Sequence, residues 1–287
     1  MVIRIKKKAG IFCGIRRKNF FLIDNTVVSK GIEYILENLN ENITIEDVAG
    51  HCYISPSRFS AIFKEQTGES VYSFIKRLKL EQSAFRLKLE KQKSITDIGQ
   101  FYGYSASNYS WAFSKYHKVT PSEFRRGVSK ESSKEIIKRI DDMVRIENKP
   151  DYEVMYERFI GNYSELKDNW CIFMEKYKDD IDEDTIFFER TFDDPSIIDE
   201  NHCIYDICMT TKNLNNYENT CILNGGKFVV YPYKGYIDGI VVSHQELIGS
   251  WFPAKKLELD ERYAYNQYRL VREDLYMEFD ICIPIKE

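Results

Sequence analysis

One sequence pattern occurs twice in this chain, as ITIEDVAGHCYISPSRFSAIFKEQTG at residues 43–68 and as SITDIGQFYGYSASNYSWAFSKYHKVTP at residues 94–121. Each copy has a short segment with apolar residues at helical spacing, then a turn, then a second such segment that follows a serine. Serine is a favourable N-cap residue, so the second segment of each copy has a clear start. The pattern predicts two helix-turn-helix units, at about residues 44–67 and 95–116. In such a unit the second helix, the recognition helix, lies in the DNA major groove.

A long amphipathic segment separates the two units. Residues 71–90 place apolar side chains on one broad face and predict a linking helix, which would be roughly 30 Å long. A further helix is expected at 27–39, and residues 121–126 close the segment. Two recognition helices joined in this way would reach two major-groove segments on one face of a duplex.

Residues 27–128 resemble the DNA-binding domain of the AraC/XylS family of transcription regulators. Three motifs carry the resemblance: FKEQTG at 63–68, FIKRLKLE at 74–81 and VTPSEFR at 119–125. It implies an all-α double helix-turn-helix domain over residues 26–128, with double-stranded promoter DNA and RNA polymerase as partners. Tyr53 departs from the family at a position where a turn glycine is usual, which costs free energy if its φ is positive.

The outward sides of the two recognition helices are predicted to meet the DNA. Ser57, Ser60 and Ala61 are short, so the first helix is expected to read bases only modestly. In the second helix Asn108 suits adenine and Trp111 suits a thymine methyl group, unless Trp111 is instead buried in the domain core. The predicted DNA-binding residues are Ser57, Arg58, Ser60, Ala61, Lys64, Ala106, Ser107, Asn108, Trp111 and Lys115, with Lys76, Arg77 and Lys79 of the linking helix as further phosphate contacts.

Charge is distributed unevenly along the 287 residues, a length that fits two domains. Residues 1–130 carry 22 Lys and Arg against 12 Asp and Glu, whereas the rest of the chain carries 19 against 33. A basic half attracts DNA phosphates and an acidic half repels them. DNA contact is therefore expected only in the first half.

Several classes of protein are disfavoured by what the sequence lacks. Residues 1–25 are basic without the apolar run of a secretion signal; they are either a frayed extension or an arm that contacts DNA. The seven cysteines form no C-x-x-C motif and the four histidines are isolated. We therefore expect a reduced, cytoplasmic protein with no disulfide framework, metal site, cofactor or membrane span.

After a linker at 129–149, the periodicity changes to alternation typical of strands. A strand, a helix and two strands are predicted between Tyr152 and Thr210, and the same order is predicted again from Gly226 to Pro284. The equivalent junctions GNY and KGY follow the first strand of each half. The sequence predicts an α+β domain over residues 150–287 with an internal duplication and an antiparallel sheet.

This second segment resembles the GyrI-like effector-binding fold. The resemblance rests on short motifs in the family's order: RFIGNY at 158–163, FDDP at 192–195, YDIC at 205–208, GKF at 226–228, KGY at 234–236, WFP at 251–253 and ICIPI at 281–285. It implies an aromatic-lined cleft, often with a buried glutamate that attracts a cation.

Asn266 stands at the position that aligns with that glutamate, and Glu261 is a poorly aligned substitute. The resemblance therefore implies a small aromatic or amphipathic effector, with neutral compounds preferred over cations. The predicted effector-binding residues are Tyr163, Phe192, Trp251, Tyr265, Asn266 and Tyr268, because aromatic rings with polar tips suit such a cleft.

Catalytic patterns are weak throughout the chain. Asp193-Asp194-Pro195 offers two carboxylates, but a solvated loop turn explains them better. We find no nucleophile with a base and no phosphate-binding loop, so an enzyme is not expected. Two alternatives remain for the C-terminal domain: a small-molecule hydrolase, and a ligand-free module for sequestration or protein contact.

Overall fold

The computed structural model describes residues 21–127, 134–192, 197–198, 200–272 and 276–286. These fall into two compact units, a helical one that begins at Ile23 and a mixed α/β one that occupies most of the C-terminal half. Most of the basic extension predicted at 1–25, namely residues 1–20, lies outside the described residues.

The described residues of the helical unit form seven helices in the predicted order. They are α1 (Thr26–Glu37), α2 (Ile45–His51), α3 (Pro56–Thr67), α4 (Val71–Leu89), α5 (Ile95–Phe101), α6 (Ala106–His117) and α7 (Pro121–Gly127). The pairs α2–α3 and α5–α6 are the two helix-turn-helix units, and α4 is the linking helix.

The two helix-turn-helix units are built alike because the same local signals recur 50 residues apart. Thr44 and Ser94 cap α2 and α5, each through a capping box that also uses the aspartate three residues later. The recognition helices α3 and α6 have 12 residues each and end at a residue with left-handed backbone conformation. Each recognition helix also buries an aromatic stripe.

The turn inside each unit requires a positive φ at the same place. Gly103 supplies it in the second unit with φ of 80°, whereas Tyr53 adopts φ of 57° in the first. The side chain of Tyr53 is 95% exposed, so no packing holds it there. Tyr53 therefore lowers the stability of the folded unit by the free energy that a non-glycine residue requires at positive φ, as predicted.

The α/β unit contains nine strands among the described residues. They are β1 (Phe21–Leu22), β2 (Arg145–Lys149), β3 (Tyr152–Ile160), β4 (Phe187–Thr191), β5 (Ile204–Met209), β6 (Thr220–Leu223), β7 (Gly226–Tyr236), β8 (Ala264–Val271) and β9 (Tyr276–Pro284). Its helices are α8 (Lys134–Asp141), α9 (Leu166–Lys176), α10 (Ile237–Glu246) and α11 (Phe252–Lys255), with a π-helical turn at Leu247–Trp251 before α11.

The strand order shows the predicted duplication. The sheet runs β1-β3-β5-β4-β8-β9-β7-β2, with β6 beside β3, and all of these pairs are antiparallel. The order β3-β5-β4 of the first half is mirrored by β8-β9-β7 of the second. A pseudo-twofold axis therefore passes between β4 and β8, and the predicted fold class is confirmed.

Within the predicted linker a short charged helix near residues 131–140 was expected from the sequence, whereas the strand at Arg145–Lys149 was not. Lys134–Asp141 is helical, and Arg145–Lys149 pairs with β7 as an edge strand of the sheet. This strand was missed because its sequence, RIENK, is mostly polar and its partner lies some 80 residues later. The remainder of the predicted linker that is described, Asp142–Val144, joins these two elements.

Candidate functional site

The outward faces of both recognition helices are available to a partner. In α3, Ser57, Arg58, Ala61 and Lys64 are exposed and Ser60 is half-buried. In α6 the five predicted contact residues are all exposed: Ala106, Ser107, Asn108, Trp111 and Lys115. Opposite them, a cluster of α4, α5 and α6 side chains around Tyr109 and Phe113 fixes the orientation of α6.

Trp111 is 62% exposed, so the alternative in which it is buried is wrong. The Lys115 ammonium lies 4.9 Å from the centre of a ring of Trp111, and Lys76 of α4 lies 6.0 Å from it. Both distances are within the range of a cation–π interaction. The second recognition helix thus presents a large exposed ring close to two positive charges.

Two of the lysine and arginine residues predicted to bind phosphate serve the interior of the domain instead. Arg77 is buried and forms ion pairs with Glu69 and Glu81 at 2.6 and 3.0 Å. Lys79 donates hydrogen bonds to the backbone oxygens of Glu41 and Tyr102. The prediction was wrong for both because α4 is packed between the two helix-turn-helix units, which leaves little of its surface free.

In the α/β unit a carboxylate is buried at the pseudo-twofold axis. Glu189 of β4 lies directly opposite Asn266 of β8 in the sheet register, and both side chains are less than 5% exposed. Tyr268 donates a 2.8 Å hydrogen bond to Oε2 of Glu189, and Nδ2 of Asn266 lies 3.5 Å from Oε1. Because each oxygen of Glu189 has its own partner, these contacts hold the carboxylate in one orientation.

Aromatic side chains surround this carboxylate. Trp170 of α9 packs edge-on against Tyr268 with ring centres 5.0 Å apart, and Tyr268 contacts Phe279 at 5.1 Å. Tyr163 stacks on Tyr205 at 5.0 Å. Trp170, which also makes a polar contact with Glu189, and Tyr163 are both half-buried.

Burial raises the pKa of Glu189 to about 7, although polar contacts with Tyr268, Trp170 and Asn266 oppose the rise. Burial and the neighbouring Glu189 charge likewise raise the pKa of Tyr268 well above its usual value. The Tyr268 hydroxyl therefore stays protonated and remains a hydrogen-bond donor, whereas the Glu189 carboxyl group changes its charge near neutral pH.

The six predicted effector-binding residues do not form one group. Asn266 and Tyr268 contact Glu189, whereas Tyr163 stacks on Tyr205. Tyr265 points to the other face of the sheet, where it packs in the core with Phe188 and Phe228, since alternate residues of a strand face opposite sides.

Phe192 and Trp251 also have other partners. Phe192 lies beside Tyr263 and the guanidinium groups of Arg158 and Arg190, with which Asp206 forms buried ion pairs. Trp251, in the π-helical turn, donates a 2.7 Å hydrogen bond to Asp141 at the end of α8. The structure joins neither residue to Glu189.

Glu189 was not identified from the sequence, which offered only the poorly aligned Glu261 as a carboxylate near Asn266. A signal was present: Asp206-Ile207-Cys208 of β5 recurs as Asp280-Ile281-Cys282 of β9, 74 residues later. With the pairing of β4 to β5 and of β8 to β9, this repeat makes Asn266 the counterpart of Glu189. Glu261, the expected substitute, is exposed in a loop.

Neither a metal site nor a membrane span was expected from the sequence. No group of three or more metal-binding side chains comes together there. Of the helices that the structure describes, none combines the length and apolar character of a membrane span. Asp193-Asp194-Pro195 lies outside the described residues.

Comparison with known proteins identifies both units. Residues 48–127 match a family model described as a helix-turn-helix domain, and residues 142–286, half of the chain, match one described as a GyrI-like small molecule binding domain. The second match begins eight residues before the predicted domain start at 150.

Curated relatives match this chain over a little more than a third of its length. The chain is 35% identical over 107 residues to the arabinose operon regulatory protein of Escherichia coli K12, a match that covers 37% of this chain and 36% of that protein. It is 32% identical over 102 residues to the Tn10 TetD protein of Escherichia coli, covering 35% of this chain and 73% of that one. It spans only 29% to 42% of the length of three further relatives.

Among solved structures, the C-terminal domain of EcmrR is similar to half of this chain. The match covers 50% of this chain and 97% of that one, at 16% identity and a TM-score of 0.41.

Proposed function

Because this chain belongs to the AraC-type DNA-binding transcription regulators and carries a GyrI-like small-molecule-binding domain, we propose that it couples promoter binding to a small cationic aromatic effector. The helical unit binds promoter DNA through α3 and α6. The α/β unit binds the effector at Glu189. RNA polymerase is the partner through which the bound protein alters transcription.

The observation that carries the effector proposal is the buried Glu189 carboxylate inside an aromatic cage. A carboxylate out of water is unfavourable unless a partner compensates its charge. Tyr268 and Asn266 offer dipoles and no positive charge. A cation placed against Glu189 would supply the missing charge, and the rings of Trp170 and Tyr268 would add cation–π attraction of about 0.5–2 kcal/mol.

This proposal changes the effector class expected from the sequence. With Asn266 alone at the polar end of the cleft, neutral aromatic compounds were favoured. With Glu189 beside it, a cation gains charge pairing that a neutral compound of the same shape does not. Glu189 is buried and Trp170 beside it is half-buried, so the effector reaches the carboxylate by displacing or rotating that ring.

Titration with a matched pair of ligands tests the effector site. Tetraphenylphosphonium and its neutral isostere tetraphenylsilane differ by one charge and very little in shape, and binding is followed by the quenching of tryptophan fluorescence or by calorimetry. We expect the parent protein to prefer the cation, Glu189→Gln to abolish that preference, and Glu261→Gln to retain it. Equal binding of both ligands by the parent would overturn the proposal.

DNA binding is tested separately by footprinting the full chain on the DNA upstream of its own gene, with and without the cation. Two protected major-groove segments on one face of the duplex are expected from two recognition helices. An effector-dependent change in the footprint or in transcription would support coupling. Protection that ignores saturating cation in both assays would contradict it.

A hydrolytic role is the second candidate for the α/β unit, and the same carboxyl group favours it. With a pKa of about 7, Glu189 could give or take a proton near neutral pH. The relatives, however, are named as regulators. Mass spectrometry of a bound reactive ester or strained-ring compound distinguishes the two roles, because a binding domain returns its ligand unchanged.

A further inference from the structure

Besides Tyr53, the surface of the helical unit presents two large aromatic side chains that lie near the same lysine. Tyr72, in the first turn of α4, is 74% exposed, and Trp111 of α6 is 62% exposed. Lys76 lies 6.0 Å from the ring centre of each, and Lys115 lies 4.9 Å from that of Trp111. We call Tyr72, Lys76, Trp111 and Lys115 the aromatic–lysine patch.

The spacing of residues along each helix brings the side chains of the aromatic–lysine patch together. Tyr72 and Lys76 are four residues apart on α4, and Trp111 and Lys115 are four apart on α6, the spacing at which helical side chains meet. Lys76 connects the two pairs, because its ammonium reaches both rings. Two helices from different parts of the chain thus present one surface in which each positive charge lies over an aromatic face.

This surface continues the outward face of α6. Ser107, Trp111 and Lys115 follow each other at four-residue intervals on the same stripe of that helix, and Asn108 is adjacent. Exposed rings of this size are unfavourable in water and mark contact surfaces when they cluster. Their neighbours are two lysines, and two other basic side chains of α4, Arg77 and Lys79, make internal contacts.

We propose that Tyr72 and Lys76 are part of the DNA interface and grip the sugar–phosphate backbone that flanks the groove occupied by α6. The Tyr72 ring packs on a deoxyribose and its hydroxyl donates to a phosphate oxygen, while the Lys76 ammonium pairs with a phosphate. Contacts of this kind fix the position of a protein on DNA without reading sequence. The rings hold Lys76 in place before binding, so less of its freedom is lost when the complex forms.

From the sequence, Lys76 is predicted to contact phosphate because of its charge, whereas Tyr72 is not predicted to contact DNA. The inference rests on the proposed role of α6 in DNA binding and adds the linking helix as a second contact element. Its partner is DNA, because the patch is basic and continuous with the recognition surface. A protein partner would be a different proposal and is one outcome of the test.

The test measures binding of the full chain to two duplexes of equal length, one from upstream of its gene and one of mixed sequence, at several salt concentrations. We expect Tyr72→Ala to weaken binding to both duplexes by about three- to tenfold, with the salt slope unchanged. Lys76→Ala should weaken both and lower the salt slope by about one, and Lys76→Arg should restore that slope. Tyr236→Ala and Lys178→Ala, exposed residues of the acidic C-terminal half, are the matched controls.

The outcomes separate this inference from the proposed function. If the parent protein binds neither duplex, the proposed function fails. If the parent binds and the Tyr72 and Lys76 variants bind equally well, with unchanged melting temperatures, the patch lies outside the interface and the inference fails. Normal DNA binding with a loss of transcription in the same variants would assign the patch to a protein partner and also overturn it.

Discussion

The hydroxyl of Tyr268 donates a 2.8 Å hydrogen bond to Oε2 of Glu189, and both side chains are almost completely removed from solvent. The two residues lie on β8 and β4, the central strands that come from different halves of the duplicated domain. At the corresponding place of the second half stands Asn266 instead of a second acid. The duplication therefore keeps a single carboxyl group at its axis.

This arrangement predicts that Glu189 destabilises the free protein at alkaline pH. Its pKa is about 7 in the folded chain and 4.5 as the ordinary value. The folded state thus holds the proton more tightly, and stability falls as pH rises from about 4.5 through 7. Glu189→Gln should raise stability by roughly 3 kcal/mol at pH 8 and change it little at pH 4.5. Urea unfolding measures this, with Glu261→Gln as the control; a loss of stability at pH 8 would contradict the prediction.

Cation binding should show the opposite dependence on pH. Only the ionised carboxylate pairs with a cation, and the ionised fraction of Glu189 grows as pH rises through about 7. The affinity for a permanent cation such as tetraphenylphosphonium should therefore increase about tenfold from pH 6 to pH 8 and then level off. In Glu189→Gln the affinity should be low and independent of pH. Calorimetric titration at several pH values decides this, and a flat profile for the parent would exclude Glu189 as the counter-charge.

The helices were predictable because their determinants are local. Caps such as Thr44 and Ser94, and apolar residues at helical spacing, act within a few residues and recur in both helix-turn-helix units. The roles of Arg77 and Lys79 were not predictable in this way. Which side of α4 is free depends on the two units that pack on it, and those contacts join residues far apart in sequence.

The candidate effector site was harder to predict, because a sheet is a set of long-range pairings. The alternation in β8 was readable, yet Tyr265 was grouped with Asn266 although neighbours in a strand face opposite sides. Glu189 and Asn266 are brought together by a pairing across 77 residues that no local pattern reveals. The edge strands β2 and β6 were missed for the same reason: they are strands because they pair with β7 and β3, which are distant in sequence.

Lys64 and Arg77 should respond to substitution in different ways. Lys64 is exposed on α3, so Lys64→Ala should weaken binding to all duplexes and lower the salt slope by about one, with stability unchanged. Arg77 is buried between Glu69 and Glu81, so Arg77→Ala should cost about 3 kcal/mol or more of folding stability. Salt-dependent DNA binding and urea unfolding of both variants test this. An unaltered salt slope for Lys64→Ala would remove that residue from the interface.

Asn108 should contribute to sequence reading. It is exposed on α6 beside Trp111, and an asparagine that pairs with adenine contributes about 1–3 kcal/mol of discrimination. Asn108→Ala should therefore abolish the preference at one operator position and leave binding to mixed-sequence DNA nearly unchanged. Competition among operator variants measures it, with Gln100→Ala of α5 as the control. If the ranking of variants is the same as for the parent, Asn108 does not face the bases.

Tyr53 should be replaceable by glycine with a gain in stability. Its φ of 57° places a side chain in the left-handed region, where a non-glycine residue costs about 1–2 kcal/mol. Since the ring is 95% exposed, its removal sacrifices no packing, although glycine loses about 0.5–1 kcal/mol through its greater freedom in the unfolded chain. We expect Tyr53→Gly to stabilise the helical unit by about 0.5–1 kcal/mol, and Tyr53→Val to destabilise it because β-branching fits this conformation poorly. Thermal unfolding followed by circular dichroism compares the three proteins; a lower melting temperature for Tyr53→Gly would show that the tyrosine ring stabilises the turn.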